Sequence, residues 1–348
     1  MPFTDIVGHE KPIAFLKTVL RNGQLGHAYL FYGADGIGKR QVAIRLAQTL
    51  LCEHNIDGAE TDSCGACRGC LHVEARTHPD YLLVEPDPEQ ATLQIKIEQI
   101  RELESQVVYR PLIAPIKVFV IDEADRLTIG AANALLKTIE EPPTHALFLL
   151  VTGRIDALPA TIRSRCQRLR FAAPSQEQVQ RTLTARLGWS AADAQFVTML
   201  TESRIGRALK VDPTALRTQQ EEFCTLAAAK ALQSPASVLT IAETLHRADR
   251  ATDALTWLAR WVRDLILTRT GAEPDLLINQ DRRAALEQGS RPDQLDRLLD
   301  LYTTIDQMER ASTRNLNLQL ALESILLRLR DILIPTSKTV DQSAPTSP

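Results

Sequence analysis

The octapeptide GADGIGKR, Gly33 to Arg40, constrains the fold more than any other stretch. It follows the apolar run HAYLFY and precedes QVAIRLAQTLLC, where Val42, Leu46 and Leu50 recur at helical spacing. A glycine-rich turn between a buried strand and a helix is the setting of a phosphate-binding loop, G-x-x-x-x-G-K-[ST]. In such a loop backbone N–H groups and the lysine cradle phosphate oxygens. Gly33, Gly36, Gly38 and Lys39 are the candidate phosphate-facing residues. Position 40 is Arg where the pattern has Ser or Thr. That hydroxyl is a direct Mg²⁺ ligand in a working loop, whereas a guanidinium has no lone pair to give and repels the cation. Arg40 therefore predicts a steep loss of metal-assisted hydrolysis. Two readings stay open for the loop. Either it binds nucleotide weakly, or it merely joins strand to helix with Arg40 in solvent.

The same alternation continues downstream. Strands are expected at 80–86 (DYLLVEP), 117–125 (KVFVIDEAD) and 146–153 (ALFLLVTG). Helices are expected at 9–23, 95–109 and 130–143, the last stopped by Pro142 and Pro143. Apolar strands alternating with helices indicate a parallel sheet covered on both faces. From Pro174 the pattern turns helical: two short helices lie around Gly188, a third begins near Gly206, and almost everything after Pro213 has helical spacing. Trp257, Leu258, Trp261, Val262 and Leu265 form a stripe expected to be core. The Ser-, Thr- and Pro-rich tail, 335–348, is expected to be disordered.

Composition excludes some classes. Apolar residues make up 44 % of the 348, enough for packed cores, while aromatics are only 5 %, which favours helices over a β-sandwich. The net charge of −3 gives no whole-chain signature of nucleic-acid binding. There is no apolar run of about 18 residues and no export signal in MPFTDIVGHE, so the expectation is a cytoplasmic protein.

Three further sets of residues carry chemistry. Asp122 and Glu123 end an apolar strand, where an Asp can hold Mg²⁺ and a Glu can polarise water, as in a Walker B element. Thr152 ends the next strand and could sense a γ-phosphate. TIRSRC, 161–166, is expected to be a short loop carrying Arg163 and Arg165, and a planar guanidinium suits a phosphate. Finally, Cys52, Cys64, Cys67 and Cys70 fall at C-x11-C-x2-C-x2-C spacing. Such clustering suits four tetrahedral zinc ligands, with no open position, so a structural Zn²⁺ is expected. His54 and His72 are alternative ligands nearby. Cys166 and Cys224 are expected to be buried.

VGHEKPIAFL, the loop, VFVIDEADRLT, NALLKTIEEPP and SRC together resemble the clamp-loader branch of the AAA+ ATPases over about residues 3–333. NALLKTIEEPP and SRC are specific to that branch. The resemblance implies an AAA+ α/β domain (1–171) with a zinc module at 52–70, a helical lid (172–212) and a helical collar (213–334). It implies one subunit of a five-membered open ring that places a sliding clamp on primed DNA, flanked by an ATP-binding motor subunit and a clamp-opening subunit. Lys39 then matches the P-loop lysine, Asp122 and Glu123 the Walker B acids, Thr152 sensor 1 and, loosely, Arg207 sensor 2. Arg165 would be an arginine finger acting in trans. ATP or ADP binding would be weak or absent, and the chain would be an accessory subunit of a DNA polymerase without its own ATPase or polymerase activity. The alternatives are an autonomous AAA+ ATPase, against which Arg40 argues, and a zinc-dependent nucleic-acid-binding module. Basic and aromatic residues are not interleaved around the cysteines, which weakens the latter.

Overall fold

Four apolar runs and one polar run assemble into a single parallel sheet. In the computed structural model, residues 3–55, 61–87, 93–228, 230–289, 294–311 and 317–334 are described. The tail expected to be disordered, 335–348, lies outside them. The chain divides into two units, Met1–Val211 and Asp212–Pro348.

In the first unit the strands are β1 (Ala28–Tyr32), β2 (Tyr81–Val84), β3 (Lys117–Ile121), β4 (Ala146–Thr152) and β5 (Gln167–Arg170). Their order is β2-β3-β4-β1-β5, and every pairing is parallel. Parallel neighbours need a crossover, and helices supply it. They are α1 (Glu10–Arg21), α2 (Lys39–Leu50), α3 (Arg68–Glu74), α4 (Ile97–Val107), α5 (Ile129–Glu140) and α6 (Ala160–Arg165). Three more follow: α7 (Gln176–Leu187), α8 (Ala191–Leu200) and α9 (Ile205–Ala208).

Side-chain alternation sorts the core into two layers. Leu30, Phe119, Ile121, Phe148 and Leu150 pack with Ile100 and Leu103 of α4 and Leu135 of α5. Tyr29, Phe31, Val118, Val120, Leu147 and Leu149 pack with Leu16 of α1 and Val42 and Leu46 of α2. This is why the strands read as continuous apolar runs rather than alternating ones: both faces are covered. β5 is the exception. Its sequence QRLR lies at the sheet edge and is largely exposed, so nothing apolar announced it. Helix ends are fixed locally. Thr128 caps α5, Ser175 forms a capping box with Gln178 on α7, and Gly188 closes α7 in the left-handed conformation that glycine tolerates best.

The second unit is helical: α10 (Pro213–Ala227), α11 (Pro235–Arg247), α12 (Ala251–Arg269), α13 (Arg283–Gly289), α14 (Leu295–Ala311) and α15 (Leu318–Leu333). Pro213 and Pro235 open their helices, where a missing N–H costs nothing. The stripe of Trp257, Leu258, Trp261, Val262 and Leu265 on α12 is buried. Beside it the fully buried Asp264 carboxylate accepts both N–H groups of Asn279, from backbone and side chain, at 2.7 and 2.8 Å, and pairs with Arg263.

The sheet centre carries the first unit. Phe148 of β4 is fully buried and stacks on Phe119 with ring centroids 5.3 Å apart. Phe148→Ala should destabilise that unit by about 3–5 kcal/mol, the usual cost of a core aromatic truncation. Equilibrium urea unfolding measures it.

Candidate functional site

The strand order sets where chemistry can sit. β1 lies between β4 and β5, and the carboxyl ends of all five strands meet at one edge, the customary ligand crevice of an open α/β sheet. Gly33 follows β1 there, Glu85 follows β2, Asp122 follows β3, and Thr152 ends β4. A cleft of about 820 Å³ opens over this edge. Gly36, Gly38, Lys39, Arg40, Asp122, Glu123, Thr152 and Arg207 line it. Among the sequence-predicted residues of the nucleotide set, only Gly33 is not in the lining. Gly33 has a structural reason: a Cβ there would lie 2.2 Å from the Phe171 carbonyl oxygen, and its φ is 150°. Only glycine lets β1 and the end of β5 approach so closely.

The loop is drawn in on itself. Lys39 is buried, and its ammonium donates to the carbonyls of Gly33 and Ala34 at 2.8 and 2.6 Å. Asp35 lies 3.9 Å away. Burial lowers the Lys39 pKa from its ordinary value, and the nearby carboxylates, Asp35 foremost, oppose that shift. His9 steadies the loop from the other side. Its Nε2 meets the Ile37 carbonyl at 2.7 Å, and its ring packs edge-on against Phe171. From the helical segment after α8, the Gly206 N–H donates to the Gly36 carbonyl at 2.7 Å, which brings Arg207 beside the loop.

Arg40 does not face solvent. It reaches across the sheet edge and pairs with Asp122 at 3.1 Å and with Glu85 at 2.8 Å. The register explains the reach: Val84 pairs with Ile121, so the acids that follow them stand side by side. Arg76 pairs with Glu85 as well, giving a ladder Asp122–Arg40–Glu85–Arg76. The second Asp122 oxygen accepts the Glu123 N–H at 3.0 Å. Burial raises the Asp122 pKa, and Arg40 is the strongest opposing influence. Glu123 pairs with Arg126, and its φ of 49° is left-handed. Magnesium does not fit here. The hydroxyl ligand is absent, and a guanidinium cation is already paired with the aspartate that would help hold the ion.

Thr152, fully buried, donates its hydroxyl to Asp125 at 2.9 Å, and the same carboxylate pairs with Arg154 at 3.0 Å. Burial pushes the Asp125 pKa up, but the donors from Thr152, Arg154 and Gly153 outweigh it and hold the carboxyl below its ordinary range. Arg165, by contrast, is not in the cleft lining. At the end of α6 its guanidinium pairs with Glu140 of α5 at 2.7 Å and donates to the Thr161 carbonyl at 3.0 Å, and its side chain is 38 % exposed. Arg163 pairs with Asp156, and the segment expected to be a short loop is helical through Arg165, with Ile162 buried in the core.

The four cysteines converge. Their sulfurs all lie within 4.8 Å of one another, with Cys52–Cys64 at 3.6 Å, Cys52–Cys67 at 3.8 Å and Cys64–Cys70 at 3.9 Å. Those separations are too long for disulfides. They match the edge of about 3.8 Å expected for a tetrahedron of sulfurs about 2.3 Å from a zinc ion. Backbone N–H groups of Ala66 and Cys67 point at the Cys64 sulfur, and that of Cys70 at the Cys67 sulfur. Against the raising effect of burial, the Ala66 and Cys67 N–H groups and the neighbouring Cys67 and Cys52 side chains bring Cys64 to about 6, whereas burial raises the pKa of Cys52 and Cys70. His72 turns away to Thr77. Gly69 is held for a reason of space: a Cβ there would lie 2.4 Å from the Leu51 carbonyl oxygen. The knuckle is tied to α2, since Arg45 pairs with Glu74 of α3 at 2.7 Å and Gln48 donates to the Cys70 carbonyl at 3.0 Å.

Sequence reasoning missed Glu85, Arg76, Asp125 and Glu140. One signal was available for Glu85: it follows an apolar run just as Asp122 does. The others depend on pairings that no linear pattern encodes.

Arg40→Ala should have a pH-dependent cost. With the pairing gone, the folded-state pKa of Asp122 rises further above its unfolded value. A carboxyl raised on folding favours the folded state while protonated and loses that contribution as pH climbs through the folded pKa. The penalty of Arg40→Ala is thus expected to be small near pH 4, about where an unperturbed Asp titrates, and larger at pH 7. Urea unfolding of both proteins across that range checks it.

Comparison with known proteins places the chain. A family model described as DNA polymerase III, delta subunit, matches residues 8–175, and one described as DNA polymerase III, delta subunit, C terminal, matches residues 216–331. The DNA polymerase III subunit tau/gamma of Haemophilus influenzae is 40 % identical over 181 residues, 52 % of this chain, but the chain spans only 25 % of its length. The subunit delta' of Pseudomonas aeruginosa is 40 % identical over 164 residues, 46 % of this chain and 48 % of that protein. The subunit delta' of Escherichia coli is 32 % identical over 316 residues, 90 % of this chain and 91 % of that protein. Similarity that runs nearly end to end with a delta' subunit, across both units, makes this chain a member of the DNA polymerase III delta-prime family of clamp-loader subunits.

Proposed function

We propose that this chain works as a non-hydrolysing clamp-loader subunit in the DNA polymerase III holoenzyme. It acts as a rigid stator beside an ATP-binding gamma/tau motor subunit on one side and the delta subunit on the other. Through that hetero-pentameric ring it contributes to placing the sliding clamp on primed DNA in the cytoplasm. The AAA+ domain (1–171) and lid (172–212) form the stator proper, and the collar (213–334) holds the ring. Among the described residues, no helix is long and apolar enough to cross a membrane.

The observation that carries the non-hydrolysing reading is the Arg40–Asp122 pair. A hydrolytic site needs a metal at that aspartate. Here a tethered guanidinium stands there, and Glu123, which would polarise water, is paired with Arg126. The useful arginine is Arg165, presented at the end of α6, outside the chain's own cleft. In the assembled ring it points at the neighbouring motor subunit's ATP, where its guanidinium stabilises the negative charge of the phosphoryl-transfer transition state. Zn²⁺ at Cys52, Cys64, Cys67 and Cys70 is structural: four sulfurs leave no open position for chemistry.

In the reconstituted loader, Arg165→Ala should cut DNA-stimulated hydrolysis at the adjoining motor site by on the order of 10³-fold, as loss of an arginine finger does elsewhere. Single-turnover ATP hydrolysis by the complex reads this, with circular dichroism of the variant unchanged. Undiminished hydrolysis would falsify the finger in trans. Turnover by the isolated chain at a motor subunit's rate, lost in Lys39→Ala, would instead favour an autonomous ATPase.

Protein purified without chelator should carry one zinc per chain. Cys70→Ser should lose most of it and lower the melting temperature, because metal binding and folding of the knuckle are coupled. Metal analysis of the wild type well below one zinc per chain rules out the zinc site.

A further inference from the structure

The cleft is built for a ligand of a particular charge state. Its lining holds eight basic and five acidic side chains, an excess that complements a polyanion. Ile6, Val7, Ile205 and Leu209 give the lining an apolar component that suits a flat base. The glycine loop at the amino terminus of the twelve-residue α2, with the buried Lys39, lines it as well. The volume of about 820 Å³ accommodates a nucleoside triphosphate.

What the cleft lacks is room for the ion that normally accompanies such a ligand. Arg40 pairs with Asp122 and Glu85, and the remaining Asp122 oxygen takes the Glu123 N–H. The guanidinium is a cation attached to the loop itself, standing where the motif's hydroxyl would have held the metal. A nucleotide arriving with Mg²⁺ brings a second cation against the first, with part of its own negative charge already neutralised. A nucleotide arriving without metal keeps its full charge and meets Lys39 and Arg40 directly, and Arg is suited to phosphate oxygens by its fork of donors.

We propose that this cleft is a site for a metal-free nucleoside di- or triphosphate, with Arg40 as a built-in substitute for magnesium. The inference rests on the nucleotide-cleft reading of the AAA+ domain and specifies its ligand. Binding is weak, because Lys39 must first leave the carbonyls of Gly33 and Ala34. It is also unproductive, because nothing at Asp122 activates a transfer.

The test titrates the full chain with N-methylanthraniloyl ATP and ADP, once in EDTA and once in excess Mg²⁺. Wild type should bind severalfold tighter in EDTA. Arg40→Thr, which restores the hydroxyl and frees Asp122, should reverse the preference to at least about tenfold tighter in Mg²⁺, a readily resolved difference. Wild type binding tighter in Mg²⁺ overturns the substitution by Arg40 while leaving the nucleotide cleft standing. Wild type silent in both buffers while Arg40→Thr binds with Mg²⁺ also overturns it, since Arg40 then blocks rather than replaces. Both proteins folded and silent in both buffers overturns the cleft reading and this inference together. The comparison of buffers on wild type alone remains decisive if Arg40→Thr fails to fold.

Discussion

The insertion of β1 between β4 and β5 is the constraint on which the first unit depends. Parallel strands cannot be joined by tight turns, so each crossover must climb over a face of the sheet and return at the opposite end. Every strand therefore delivers its carboxyl end to one edge. Once β1 is central, the loop after it is flanked on one side by Thr152 and the acids after β3, and on the other by Phe171 after β5. One very close approach in this arrangement is Gly33 against the Phe171 carbonyl, where any Cβ would collide. That contact explains the first glycine of the loop without reference to phosphate. The glycine is needed to build the sheet, whatever the cleft binds.

Such a separation of roles helps explain how the motif can persist while its chemistry changes. Gly33 serves packing, and Lys39 serves the loop's own carbonyls. Thr152 is buried and gathers Asp125, which in turn holds Arg154. Lys39, Arg40, Asp122, Glu123 and Thr152 each have a partner within the chain. Glu123 is the nearest to an exception, and even it is paired with Arg126 across one turn, in a half-exposed position where such pairs contribute little. Asp122 is different. It is mostly buried, so leaving it without a cation would cost more than the pair is worth in solvent. A metal satisfies that requirement in a working loop, and Arg40 satisfies it here.

The sheet and the helices around it were legible because burial on two faces writes long apolar runs, and because apolar residues recur at helical spacing between them. β5 was not legible. An edge strand exposes its side chains, so QRLR carries no burial signal and is defined only by pairing with β1. The cysteine cluster was legible for another reason: Cys64, Cys67 and Cys70 recur at three-residue intervals, and the four sulfurs do converge. The ladder from Asp122 through Arg40 and Glu85 to Arg76 was half legible. The departure at position 40 was visible in the octapeptide, but its partner Glu85 comes from a strand that neighbours β3 in space and not in sequence.

That ladder has a consequence for the cysteine knuckle. Arg76 follows α3 with a left-handed φ of 59°, directly after the helix that Cys67 and Cys70 begin. Glu74 of the same helix reaches back to Arg45 on α2, and Gln48 holds the Cys70 carbonyl. The knuckle is thus fastened at two points to the helix that carries the loop, and its far end supplies the last rung of the ladder. A loop poor in apolar side chains cannot hold Arg76 in place by packing alone, whereas the convergence of four sulfurs from both ends of the segment fixes its course. The cysteine knuckle and the arginine ladder are in this sense coupled. What orders the knuckle also sets Arg76 beside Glu85, and so helps Arg40 stand at Asp122.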